Sequence, residues 1–299
     1  MGNCLCGEDK DVVKVALKFP HGISGIVYND KFEATESIDE WIQSLYKDKN
    51  WTGFVVYNDQ IDHLNMKLDK SPKGHAPHTK GQPSGPHTKG HTKGIVAWDD
   101  TKVSWLIHSV PNFPREFDGK TISPIEKSEH IYGQSFMYIE LPFNSHEIIN
   151  RIRTMNAHIY LSKNEPPFVK FAKNSKKIEF QELRLSESIT HITKPPALTQ
   201  DIYKHLITYE SGEWYVETWK RGLEVKDDEK KIKEVKKLSW KEGNVEWKES
   251  NDHSKWAVSE SYVWIGDLNR MTSQFTRGGG GFLIKNPKLA KAFRELVVE

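Results

Sequence analysis

The sequence predicts an α/β fold, with α+β as its near neighbour, in which mixed β-sheets are covered by helices. Three observations lead there. Short runs rich in Val, Ile, Trp, Tyr and Phe recur between turn residues, as strands do. A few amphipathic stretches with N-capping residues fall between those runs in mixed order. The second half then repeats the theme of the first loosely. The chain has 299 residues, with ten Trp, ten Tyr and thirteen Phe. That is enough for two core-forming units or one large domain.

In chain order, residues 1–10 are expected to be disordered. Val12 to Phe19 reads as a strand, with Gly25 to Tyr28 as its hairpin partner. Ser37 to Glu40 is a capping box ahead of Trp41, Ile42, Leu45 and Tyr46 at helical spacing. Gly53 to Tyr57, Val103 to Val110 and Phe136 to Leu141 read as strands. Asn144 to Glu147 caps a helix carrying Ile148, Ile149, Ile152 and Met155, and His158 to Leu161 follows as a short strand. A seam at Asn164-Glu165-Pro166-Pro167 divides the chain into halves, 11–165 and 166–299. Beyond it, Lys177 to Leu185, Glu213 to Trp219, Val245 to Lys248 and Ser261 to Asp267 read as strands. Thr199 to Leu206 reads as a short helix, and Arg221 to Asn244 as a solvated, charged helix or excursion. Arg277 to Gly281 reads as a turn. Asn286-Pro287 opens a last helix whose buried stripe is Leu289, Phe293, Leu296 and Val297.

Composition narrows the possible functions. The formal net charge of +2 does not mark a nucleic-acid binder, so any basic surface has to be local. No apolar run approaches the roughly 20 residues needed to span a bilayer. The two cysteines, Cys4 and Cys6, are too close to the start to staple a fold, and no signal-peptide h-region is visible. Met1-Gly2 followed by Cys4 and Cys6 partly fits a lipid anchor, although Cys6 stands where the pattern wants Ser or Thr.

From Lys70 to Gly94 there is no apolar periodicity. His-Thr-Lys-Gly occurs three times there, beginning at His78, His87 and His91. Pro, Gly and Ser around the first two copies predict a flexible, His-rich loop over 70–90. Only the third copy leads into a strand-like run, Ile95 to Trp98, that could hold an imidazole in place. It has a distant counterpart, His253-Ser254-Lys255, which also stands at the start of a strand.

Residues i and i+2 of a strand share a face. Each His-x-Lys therefore aims an imidazole and an ammonium into one space. Two such pairs facing each other would supply a nucleophile, a proton donor and cations for one phosphodiester. Asn112 and Asn269, each some twenty residues beyond a pair, are candidate amide donors to phosphate oxygens. Arg270, Arg277 and Gly278 complete the candidate phosphate or substrate contacts, the Gly278 to Gly281 run being suited to an anion-binding nest.

The segments HTKGIVAWD, WLIHSVPNFP, YGQSF, DHSKWAVS, GDLNR and RGGGG, in that order, closely resemble the signature segments of the deoxyribonuclease II family. That family resembles a branch of the phospholipase D superfamily. The resemblance implies two pseudo-symmetric halves with one His-x-Lys each. It further implies a metal-independent endonuclease, active at acid pH, leaving 3′-phosphate and 5′-hydroxyl ends. DNA would be cut with little sequence preference and no cofactor. His91, Lys93, His253 and Lys255 match the two motifs; superfamily analogy makes His91 the nucleophile that forms a phosphohistidine and His253 the acid. Two departures stand out. The superfamily's Asp after each pair falls here on Trp98 and Glu260. The family also implies lysosomal residence, whereas the missing leader and disulfides leave a cytoplasmic or membrane-tethered chain as the other expectation. The competing readings are a non-catalytic protein that binds DNA, or Zn²⁺ or Cu²⁺ through His75, His78, His87 and His91, and a lipid phosphodiesterase.

Overall fold

Alternation of buried side chains on two opposite faces organises the strands into layers. The computed structural model describes residues 12–61, 89–142, 145–165, 178–219, 225 and 230–298. Gly2, Cys4 and Cys6, the segment with His75, His78 and His87, and Pro166-Pro167 of the expected seam lie outside the described residues.

Eight strands form the first sheet: β1 (Val12–Lys18), β2 (Gly25–Asn29), β3 (Lys31–Thr35), β4 (Gly53–Asn58), β5 (Lys93–Trp98), β6 (Lys102–His108), β7 (Gln134–Pro142) and β8 (Ile159–Lys163). Their spatial order is β3-β2-β1-β7-β6-β5-β4-β8 and every pairing is antiparallel. The second sheet contains β9 (Gln181–Arg184), β10 (Ile189–Lys194), β11 (Trp214–Thr218), β12 (Ile232–Glu234), β15 (Lys255–Val258), β16 (Tyr262–Gly266) and β17 (Gly279–Lys285), in the order β12-β11-β15-β16-β17-β10-β9. Only β11 and β12 pair in parallel among the described residues. β13 (Lys237–Trp240), β14 (Val245–Lys248) and β18 (Val297–Val298) make a small third sheet.

The two large sheets pack face to face. Trp105 of β6 stacks on His191 of β10 at 4.4 Å and meets Phe282 of β17 edge-on at 5.0 Å. Val15, Val96, Trp105, Ile107, Met137 and Ile139 of one sheet share a core with Ile189, Val263, Ile265, Phe282 and Ile284 of the other. The alternate residues of the first sheet, such as Ala16, Val56, Ile95, Leu106 and Phe136, face a second core under α1 (Ile38–Ser44). A third core lies under α3 (Ile202–Leu206) on the far side of the second sheet. Burial on both faces explains why the central strands read as unbroken apolar runs. α2 (Ser145–Thr154) and α4 (Pro287–Leu296) add Ile148, Ile152, Leu289 and Phe293 to the shared core. The fold is thus α+β, with far more strand than helix.

Capping chemistry sets the helix starts as expected. The Ser37 hydroxyl accepts from the Glu40 N–H at 3.1 Å, and the Asn286 side chain accepts from the N–H groups of Lys288 and Leu289. Three expectations need correction. The Arg221 to Asn244 stretch contains β12 and β13, because Ile232 and Leu238 are buried beside sheet neighbours. The helix expected from Thr199 starts at Ile202, where Asp201 supplies the cap. Gly279 to Gly281 open a buried strand instead of a turn. β3 and β10 were not anticipated; the second reads Ile-Thr-His-Ile-Thr-Lys, and its polar residues are buried by neighbours on both sides.

Candidate active site

β5 and β15 occupy equivalent places in the two sheets, and each is preceded by a short segment that crosses to the other half. The His91 N–H donates to the Gly278 carbonyl at 2.8 Å, and the Lys93 N–H to Asp267 Oδ1 at 3.3 Å. Both acceptors belong to the second sheet's loops. In the second half the His253 N–H donates to the Gly133 carbonyl at 2.8 Å, and the Lys255 N–H to Ser135 Oγ at 3.3 Å. Both of these acceptors belong to the first half. Each His-x-Lys is therefore pinned by the opposite half, and the four residues are all buried, the two histidines to 7% and 6% exposure.

The close backbone approaches explain two glycines. A Cβ at Gly278 would sit 2.1 Å from the Met155 carbonyl oxygen, and one at Gly133 would sit 2.8 Å from the Asp252 carboxyl carbon. Asp252 in turn accepts from the Ser254 N–H at 2.7 Å and from Trp247 Nε1 at 2.6 Å, shaping the turn that presents His253.

Around His91 the surroundings are ionic. Asp59, the residue after β4, accepts from Lys93 Nζ at 2.7 Å and from Arg277 Nη2 at 2.8 Å, and lies 3.9 Å from His91 Nδ1. Burial pushes the Asp59 carboxyl up, but Lys93, His91 and Arg277 together outweigh it and hold the group well below the usual carboxylate range. Burial, reinforced by the Lys93 ammonium, drives the His91 imidazole well below its ordinary value, against the pull of Asp59. Lys255 Nζ donates to the His253 carbonyl at 2.6 Å. Burial, then repulsion from Lys93, brings that ammonium down to about 7. Asp267 is pushed up to about 8 by burial, which wins over the nearby Lys93. Lys93 acts on Lys255, and Lys255 in turn on His91, so the two pairs lie within electrostatic reach of each other.

Around His253 the surroundings are aromatic. The Tyr132 ring stacks on the imidazole at 3.8 Å and 14°, and the Trp219 ring meets it at 4.0 Å and 53°.

Of the residues singled out from sequence, His91 bonds directly to Gly278, Lys93 and Arg277 meet through Asp59, and Lys255, bonded to the His253 carbonyl, lies within electrostatic reach of Lys93. Gly278 acts through its carbonyl, and β17 begins at Gly279; among the described glycines only Gly119 has the left-handed φ that a nest of N–H groups uses, so the nest is not formed. Asn269 is 5% exposed, two residues past Asp267, and its Oδ1 has no hydrogen-bond partner among the described residues. Asn112 takes a left-handed φ of 53°, the role of a turn residue. Arg270 is corrected: its guanidinium pairs with Asp201 at 3.0 Å and Glu234 at 2.9 Å inside the second half. Sequence reading missed Asp59, Tyr132, Ser135, Trp219 and Asp267. Three of them do carry a local signal: Tyr132 and Ser135 lie in YGQSF, and Asp267 in GDLNR. Among the described residues no group of three His, Cys, Asp or Glu has a metal-site arrangement.

Comparison with known proteins identifies the family. The family model described as Deoxyribonuclease II matches residues 27–299. Plancitoxin-1 of Acanthaster planci is 28% identical, over 97% of this chain and 80% of its own length. Deoxyribonuclease-2 of Caenorhabditis elegans is 30% identical, over 82% and 72%. Deoxyribonuclease-2-alpha of Sus scrofa is 26% identical, over 88% and 74%.

Proposed function

The chain belongs to the deoxyribonuclease II family and is a DNA-hydrolysing nuclease, and from that premise we propose that it cuts through a phosphohistidine on His91 without a metal. The observation carrying this reading is the reciprocal pinning of two His-x-Lys pairs, each by the opposite half.

His91 is buried and neutral, as a nitrogen nucleophile must be, and its Nδ1 lies toward Asp59, leaving Nε2 for attack. The N–P bond forms as the bond from phosphorus to the 5′-oxygen breaks, and His253 gives its proton to that oxygen. Water then attacks phosphorus, its proton passes to His253, and the N–P bond breaks. The products are a 3′-phosphate and a 5′-hydroxyl. Lys93 and Lys255 hold the non-bridging oxygens, where charge builds in the five-coordinate state. Asn269 offers an amide to the same oxygens.

The same charges favour phosphate binding as pH falls toward neutrality and below. As pH falls through about 8 and about 7, Asp267 becomes neutral and Lys255 cationic. The site gains two units of positive charge, favouring a phosphate, while burial keeps His91 unprotonated. Contacts to the phosphate backbone carry no base information, so cutting is sequence-tolerant.

The test is a plasmid-nicking assay at about pH 5 with EDTA, with end-group analysis. Cleavage should persist under chelation and give 3′-phosphate ends, and His91→Ala and His253→Ala should each abolish it. Loss of cleavage in EDTA, or 5′-phosphate ends, would overturn the mechanism.

A further inference from the structure

The two halves surround their histidines with equivalent positions that hold opposite kinds of side chain. Register establishes the equivalence. Asn58, the last residue of β4, pairs with Lys93, and Thr218, the last residue of β11, pairs with Lys255. The next residues, Asp59 and Trp219, are thus counterparts. The Gly278 carbonyl accepts from the His91 N–H just as the Gly133 carbonyl accepts from the His253 N–H. The residues before those glycines, Arg277 and Tyr132, are counterparts too. Beside each histidine the two flanking residues also touch each other across the halves: Arg277 and Asp59 as an ion pair at 2.8 Å, Tyr132 and Trp219 as an edge-on ring pair at 6.0 Å.

We propose that this substitution of an aromatic pair for an ion pair is what divides the labour of two otherwise similar imidazoles, with Tyr132 and Trp219 acting as positioning residues for the proton-donating His253. The inference rests on the nuclease reading above and adds the side chains that make its two halves unequal. The stacked Tyr132 ring and the tilted Trp219 ring fix the plane of the His253 imidazole. Their negative quadrupoles accommodate an imidazolium. They do so without drawing its proton away, as an adjacent carboxylate would. The Asp59–Arg277 pair does the opposite for His91: it adds the Arg277 cation to those of Lys93 and Lys255, and the carboxylate already serves two of them.

The deciding measurement compares two substrates. DNA has a 5′-alkoxide leaving group that needs a proton. A thymidine 3′-(p-nitrophenyl phosphate) ester breaks the equivalent P–O bond but releases p-nitrophenolate, which leaves unaided. In single turnover, which reads only the first P–O cleavage, Tyr132→Leu and Trp219→Leu should lower the rate on DNA tenfold or more while lowering release of p-nitrophenolate from the aryl ester no more than about twofold. Retention of the aryl-ester rate also shows that the variants fold. Tyr132→Phe and Trp219→Phe, which keep a ring face, should restore the DNA rate. Equal losses on both substrates would mean a merely structural role and overturn the proposal, as would no loss on either. A parent protein that cleaves neither substrate would instead sink the nuclease mechanism, and this proposal with it.

Discussion

Asp59 is the side chain on which most of the site's charge turns. It neutralises the buried Lys93 and the part-buried Arg277, and removing one partner of such a group leaves the other charges uncompensated. Asp59→Asn should cost about 3 kcal/mol at neutral pH, read by urea denaturation. The folded value of Asp59 lies below its ordinary 3.8, so its contribution is present above that pH and lost as pH falls further. The gap between parent and variant should therefore close below about pH 4. Asp267 carries the opposite sign. Its folded value of about 8 exceeds 3.8, so the folded protein holds a proton that the unfolded chain releases. Stability should fall as pH rises across that window, and Asp267→Asn should flatten the dependence; an unchanged slope would show that Asp267 ionises freely. Lys93, Lys255, His91 and His253 stood out because the same His-x-Lys word twice leads into an apolar strand. Asp59 and Trp219 did not, since a residue following a strand gains meaning only from the strand beside it.

At the scale of the element, the loops before β7 and β17 act as struts between halves. Each lends one carbonyl to a histidine N–H, and each is stapled by a buried lysine. Lys18 Nζ donates to the carbonyls of Phe19, Gly22 and His130, and Lys194 Nζ to those of Phe275 and Arg277. A methyl at residue 278 has no room against the Met155 carbonyl. Gly278→Ala should thus cost on the order of 1–3 kcal/mol in thermal or urea unfolding, and lower kcat on DNA by displacing His91. A variant with parental stability and rate would show that this backbone approach is slack. The glycine run misled as a nest because close packing and anion binding both select glycine, and sequence does not separate them.

For the whole molecule, one core serves both sheets, with Trp105 of the first half against His191 and Phe282 of the second. The halves should unfold together, with fluorescence and far-ultraviolet circular dichroism giving coincident urea transitions. Two separated transitions would mean that the shared core does not couple them. Trp105→Ala, which empties the centre of that core, should cost about 3–5 kcal/mol. DNA affinity should fall steeply with salt, because binding rests on phosphate contacts.

The amino-acid sequence by itself determined most of the strands, the helix caps at Ser37 and Asn286 and the two His-x-Lys words, because apolar patterning, capping and short motifs are local properties of the chain. It also determined the family, since long ordered segments match. Only the tertiary structure decided that each pair is held by the opposite half, that Arg270 serves the interior, and that one imidazole sits among ions and the other between rings. Those facts depend on which residues distant in sequence are brought within a few ångströms, and no local pattern encodes that.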